Sequence, residues 1–117
     1  CGLTVAVRKM RIADLSGFTN GKAAMLETEF IVASAKANGD RLVKFVHGEG
    51  KIGVLVRRLL RKYKKADRVT FLVFGEKFTE EDIASRYMRN RFPETEQDPD
   101  YLQDNKGITI AGIPTKD

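Results

Sequence analysis

The chain is short of the residues on which disulfide frameworks, zinc sites and membrane spans depend. Its one cysteine, Cys1, has no partner for an internal disulfide, which excludes a stapled scaffold and suits a reducing compartment. One histidine, His47, together with that cysteine cannot assemble a zinc site of the usual kind. Tryptophan is absent and only three prolines are present. No apolar run reaches the length of a bilayer span and no stretch is built like a signal peptide, so a cytoplasmic protein with no membrane partner is expected. Position 1 is not methionine, which points to processing or trimming of the chain.

What is present describes one globular domain. The 117 residues match the commonest size for a single core, and 42% hydrophobic with 32% charged residues excludes disorder. The net charge of +5 is unevenly placed. Between Lys51 and Arg68 there are eight basic residues and one acid, so this segment alone holds the excess positive charge. That is the footprint of a polyanion-binding surface. The opposite extreme is Pro93 to Asn105, where Glu94, Glu96, Asp98, Asp100 and Asp104 have no basic neighbour in sequence.

Periodicity places the elements. Residues 1–8 form an extension, with Thr4 to Val7 either an edge strand or frayed. Met10 to Leu15 alternates as a strand, and Ser16-Gly17 breaks it. Thr19 or Asn20 then caps a helix whose apolar stripe is read as Ala23, Leu26, Phe30, Ala33 and Ala37, and which Asn38-Gly39 ends. Leu42 to Val46 is an apolar run suited to a strand buried on both faces. Behind a glycine-rich turn, Ile52, Leu55, Val56, Leu59, Leu60 and Tyr63 define the apolar side of a second helix, and Arg57, Arg58, Arg61, Lys62, Lys64 and Lys65 its charged side. Val69 to Phe74 is a third strand, and Tyr63, Phe71 and Phe74 suit the core. Thr79-Glu80-Glu81-Asp82 starts a short helix with Ile83, Tyr87 and Met88 inward, ending before Pro93. An acidic loop and a last strand, Gly107 to Ile113, complete the order β-α-β-α-β-(α-loop)-β. Helical crossovers between the first three strands predict an α/β two-layer sandwich with a mostly parallel four-stranded sheet.

The chemistry concentrates at His47-Gly48-Glu49-Gly50-Lys51-Ile52-Gly53, between a buried strand and the basic helix. A loop at that place presents free backbone N–H groups and the positive end of the helix dipole, both suited to phosphate. Gly48, Gly50 and Gly53 allow close approach and positive φ. Lys51, Arg57, Arg58 and Arg61 would add charge-assisted contacts. His47 is the side chain whose ordinary pKa lies nearest neutrality.

Three stretches carry a family resemblance. Asp14-Leu15-Ser16-Gly17-Phe18-Thr19, then Phe45-Val46-His47-Gly48-Glu49-Gly50, then Gly53-Val54-Leu55 with the basic helix, resemble the Smr (small MutS-related) domain. That family has a leading Leu-Asp-Leu-His-Gly motif and a central His-Gly-x-Gly motif, on a fold similar to the C-terminal domain of translation initiation factor 3. The resemblance covers roughly Arg8 to Ile113, including Gly107-Ile108-Thr109-Ile110 as the last strand. The segment 76–106 is additional to the minimal domain and is similar to that of short stand-alone relatives, through Glu76 with Phe78, Pro93 with Glu94, and Asn105 with Gly107.

The resemblance implies binding to DNA or RNA, and in some members nicking or endonucleolytic cleavage. His47 would then act as general acid or base, with Asp14 either orienting it or binding Mg2+ or Mn2+. Ser16 stands where the first motif has histidine, which removes a proton-transferring group and leaves cleavage open. The alternative is a non-catalytic protein-interaction module, in which the basic face meets an acidic partner such as the 93–105 loop.

Overall fold

The structure, a computed structural model, describes residues 10–114. The expected N-terminal strand at Thr4 to Val7 lies outside them. In order, the elements are β1 (Met10–Asp14), α1 (Gly21–Asn38), β2 (Leu42–Val46), α2 (Lys51–Lys65), β3 (Phe71–Phe74), α3 (Ile83–Arg91) and β4 (Ile108–Gly112). Short 3-10 turns at Gly75–Lys77 and Pro93–Gln97 flank α3.

The four strands form one sheet in the order β1-β2-β4-β3. β1 pairs with β2 in parallel, whereas β4 pairs antiparallel with both β2 and β3. The sheet is therefore mixed, which corrects the mostly parallel arrangement expected from the sequence. The two helical crossovers do keep the first three strands pointing one way. The 76–106 segment then returns the chain so that β4 slots between β2 and β3 in the opposite direction.

That segment also adds a layer. Alternation along β2 sends Val43 and Phe45 into a core with α1 and α2, including Ala24, Ile31, Val32, Val56 and Leu60. Leu42 enters a second core on the other face with Phe71, Val73, Phe78, Met88, Ile108 and Ile110. Helices thus cover both faces, three layers rather than the two expected, and β4 is buried along its whole length.

Helix termini follow local chemistry. Asn20, not Thr19, caps α1 by accepting from the N–H of Ala23, and Gly39 ends the helix with φ of 81°. The buried side of α1 is Ala24, Thr28, Ile31, Val32 and Ala35. The stripe read from the sequence lies on the wrong side, with Leu26 63% and Phe30 64% exposed. α1 carries apolar residues on two sides, and the small Ala24 and Ala35 let the backbone approach its neighbours on the side that is buried. In α2 the expected face is the one packed inward, with Val56, Leu60 and Tyr63 buried. α3 starts three residues later than the acidic run suggests, at the cap Asp82, and of its expected inward residues only Met88 is fully buried.

Candidate nucleic-acid interface

The glycine-rich loop leaves β2 at Val46 and is clamped at once. The N–H groups of His47 and Gly48 both donate to the carbonyl of Gly107, each at 2.9 Å. Gly48 has φ of 81°, a conformation that side chains rarely adopt. A Cβ on Gly53 would overlap the carbonyl oxygen of Gly48 and lie 2.8 Å from His47 Nδ1. Glycine at 53 is therefore what lets the first turn of α2 sit directly on the loop. Gly50 differs: its φ of −90° is ordinary and a side chain there would meet open space.

His47 is 4% exposed and both ring nitrogens are engaged. Nδ1 lies 2.8 Å from the Gly48 carbonyl, which can only accept, so Nδ1 carries the proton. Nε2 then accepts from the Thr109 hydroxyl at 2.8 Å. Thr109 in turn accepts from Arg57 Nε at 2.9 Å, so every donor in the chain Arg57–Thr109–His47–Gly48 points the same way. Burial holds the His47 pKa below its ordinary value, and the charge of Arg57 pushes in the same direction. The ring is neutral at pH 7.

Arg57 is an internal tether rather than part of the open cationic face. It binds Glu76 bidentately at 2.8 and 2.7 Å and donates to the carbonyls of Lys106 and Ile108 at 3.2 and 2.9 Å. Its guanidinium also lies 4.7 Å from the centre of the Phe74 ring, and its side chain is 14% exposed. The paired guanidinium holds the Glu76 carboxyl below its usual range. All three guanidinium nitrogens of Arg57 are thereby engaged, which corrects its expected place among the phosphate contacts. Glu76 and Thr109, the partners that fix the loop, were not among the site residues expected from the sequence. Glu76 and Thr109 were visible only as motif residues, because the role of each depends on the antiparallel entry of β4.

The rest of α2 remains open. Its cap residue, Gly50, supplies no side-chain acceptor, whereas Asn20 and Asp82 cap α1 and α3. Among the described residues, the N–H groups of Glu49, Gly50, Lys51 and Ile52 have no acceptor. Lys51, Arg58, Arg61, Lys62, Lys64 and Lys65 are exposed. Arg61 rests 4.9 Å from the Phe74 ring centre. Beside the loop is a concavity of about 210 Å³, bordered by His47, Glu49, Val54, Glu76 and Lys106.

Asp14 sits opposite Val46 in the β1–β2 register, one residue from His47. Its exposed carboxylate accepts from the N–H of Ser16 at 2.9 Å, and the Ser16 side chain first, then that N–H, hold its pKa below the ordinary value. Among the described residues it makes no hydrogen bond to His47. No group of three or more His, Cys, Asp or Glu side chains that could hold a metal ion occurs among the described residues.

The acidic segment is not draped over α2. Lys44, on the sheet face opposite α2 and with its side chain 7% exposed, is paired with Asp98 and Asp100 at 2.7 Å each. Asp100 also accepts from Asn105 at 2.9 Å, and Asn105 accepts from the N–H of Gly107 at 2.9 Å. Asp98 and Asp100 of the acidic loop thus anchor the third layer rather than meeting the basic helix. Among the described residues no helix is long and apolar enough to cross a membrane.

No family model matches the chain, and no curated protein matches it. Among solved structures, it is similar to the Smr domain of Thermus thermophilus MutS2, with 20% identity and a TM-score of 0.58, over 89% of this chain and 98% of that one. The chain has the fold of an Smr domain, with its third layer built from the 76–106 segment.

Proposed function

We propose that this chain binds the phosphate backbone of DNA or RNA through the open first turn of α2 and the cationic side that continues from it. The observation that carries this reading is the uncapped α2 start, whose free N–H groups adjoin the exposed Lys51 and Arg58. Free amides and the helix dipole favour an anion at that point, and the α2 cations extend the positive surface over about 22 Å, at ~1.5 Å per residue. Gly48 and Gly53 shape the loop, Gly50 keeps it open, and Arg61 and Arg58 supply charge. Backbone recognition of this kind reads no base, so DNA and RNA are both accepted.

In this reading His47 is a positioning residue. A neutral, buried ring with a donor bond to Gly48 and an acceptor bond from Thr109 has no lone pair or proton free for a substrate. Asp14 holds the β1 turn through Ser16. Binding without hydrolysis is what this arrangement favours over nicking.

The test is fluorescence polarisation with a labelled duplex and a labelled single strand. Lys51→Glu with Arg58→Glu is expected to weaken binding at least about tenfold and to flatten the salt dependence by roughly one unit of slope for each phosphate no longer neutralised. Unchanged affinity would overturn the reading. Incubation of supercoiled plasmid and structured RNA with wild-type protein, with and without Mg2+ or Mn2+, tests hydrolysis. Strand breaks that disappear in His47→Ala would restore the catalytic role.

A further inference from the structure

A second concavity lies at the other end of the sheet from the His47 loop. Arg41 precedes β2 and Thr70 precedes β3, whereas His47 follows β2. This recess of about 220 Å³ is lined by Arg41, Thr70, Phe71, Tyr87, Arg91 and Phe92 among others. Its wall is aromatic: Phe71 and Tyr87 meet edge to face at 5.4 Å. Each arginine lies against a ring, Arg41 at 5.5 Å from the centre of Phe92 and Arg91 at 5.5 Å from that of Tyr87.

Neither guanidinium has a carboxylate partner, a state they share with Arg58, Arg61, Arg68 and Arg86 among the described residues. Arg11, Arg57 and Arg89 each pair with a carboxylate, but among the described residues neither Arg41 nor Arg91 has one within 4.0 Å. The neighbouring Asp40 is already engaged by Arg11 at 3.0 Å. Among the described residues, buried Arg41 Nε has no hydrogen-bond partner, a costly state for a guanidinium N–H unless a ligand oxygen completes it. Tyr87 is 48% exposed and its hydroxyl accepts from Arg91 Nη1 at 3.4 Å, so part of an aromatic side chain lies at the surface beside these charges.

We propose that this recess binds a nucleoside monophosphate, either free or as the phosphorylated end of a strand. The dianionic phosphate sits between Arg41 and Arg91, whose forked donors match its oxygens, with the Thr70 hydroxyl in reach of the same recess. The base stacks on the Tyr87 side. The site is independent of the α2 surface, being at the opposite end of the sheet and on the α3 side of it.

Calorimetric titration of the full chain with AMP tests this. Saturable binding is expected, with inorganic phosphate and adenosine each weaker by roughly tenfold or more, because each supplies half of the recognition. Arg91→Ala and Arg41→Lys should each lower AMP affinity by roughly tenfold with the circular dichroism spectrum retained; Arg91 is exposed, so its variant folds even if Arg41 variants do not. In amide NMR spectra, AMP should shift Arg41, Thr70 and Tyr87 and leave residues 49–53 in place. No saturable AMP binding, equal affinity for inorganic phosphate, full affinity in Arg91→Ala, or shifts confined to 49–53 would each overturn the assignment. Comparing 5′-phosphorylated with 5′-hydroxyl trinucleotides separates strand-end from free-nucleotide recognition: preference for the phosphorylated strand assigns the former, rejection of both the latter.

Discussion

Thr109 joins a cation to a neutral imidazole, so one hydroxyl completes the buried hydrogen-bond chain beneath the loop. Replacing it with valine keeps the shape but leaves Arg57 Nε and His47 Nε2 without partners. Thr109→Val is expected to cost about 1–3 kcal/mol in urea unfolding, and the 15N spectrum of wild-type His47 should show the Nδ1–H tautomer. Because the folded-state pKa of His47 is lowered, the unfolded chain takes up its proton first as the pH drops. Stability from this residue is therefore full above about pH 6.5 and declines as the pH falls from there toward the lower folded value, by at most ~1.4 kcal/mol per pH unit. Urea midpoints between pH 7.5 and 5.5 should show that slope in the wild type and a flatter one in His47→Asn. Gly53→Ala belongs to the same scale. Its Cβ meets backbone at Gly48, which cannot step aside cheaply, so a loss of about 2–3 kcal/mol is expected in the same assay.

Elements differ in how firmly their own residues dictate the face they bury. α2 is apolar on one side and strongly cationic on the other, so its orientation is settled before any packing. α1 is not, and the wrong stripe is as apolar as the buried one. Phe30→Lys is accordingly expected to change stability by no more than about 0.5 kcal/mol, while Ile31→Ala on the buried side should cost about 2–4 kcal/mol, both read from denaturant midpoints. Two carboxylates of the 93–106 segment share a single lysine. Lys44→Met leaves Asp98 and Asp100 facing each other in a sheltered site, with an expected cost of about 3 kcal/mol. Hydrogen exchange should then accelerate across residues 98–107 before it does in α1 or α2, and adding Asp98→Asn with Asp100→Asn should recover part of the loss.

For the molecule as a whole, the mixed sheet places two kinds of surface at opposite ends. At one end the α2 start and the 47–53 loop present amides and cations; at the other Arg41 and Arg91 flank an aromatic recess. The antiparallel strand β4 ties both together, since Gly107 and Thr109 hold the loop while Gly112 lies against Phe71. Binding of long strands should therefore be strongly salt-dependent and insensitive to Arg91→Ala, a separation that polarisation assays at two salt concentrations can check.

Strand and helix positions, the glycine-rich loop and the charged side of α2 were legible in the sequence, because alternation, helical spacing and capping residues act over a few neighbours. Asn20, Gly39 and the α2 stripe are such cases. The direction of β4, the buried side of α1, the engagement of Arg57 by Glu76 and the pairing of Lys44 with Asp98 and Asp100 were decided only by the tertiary structure. The ion pairs among these join residues 19, 54 and 56 positions apart, where no periodicity reaches and only the burial of one surface against another selects the partner.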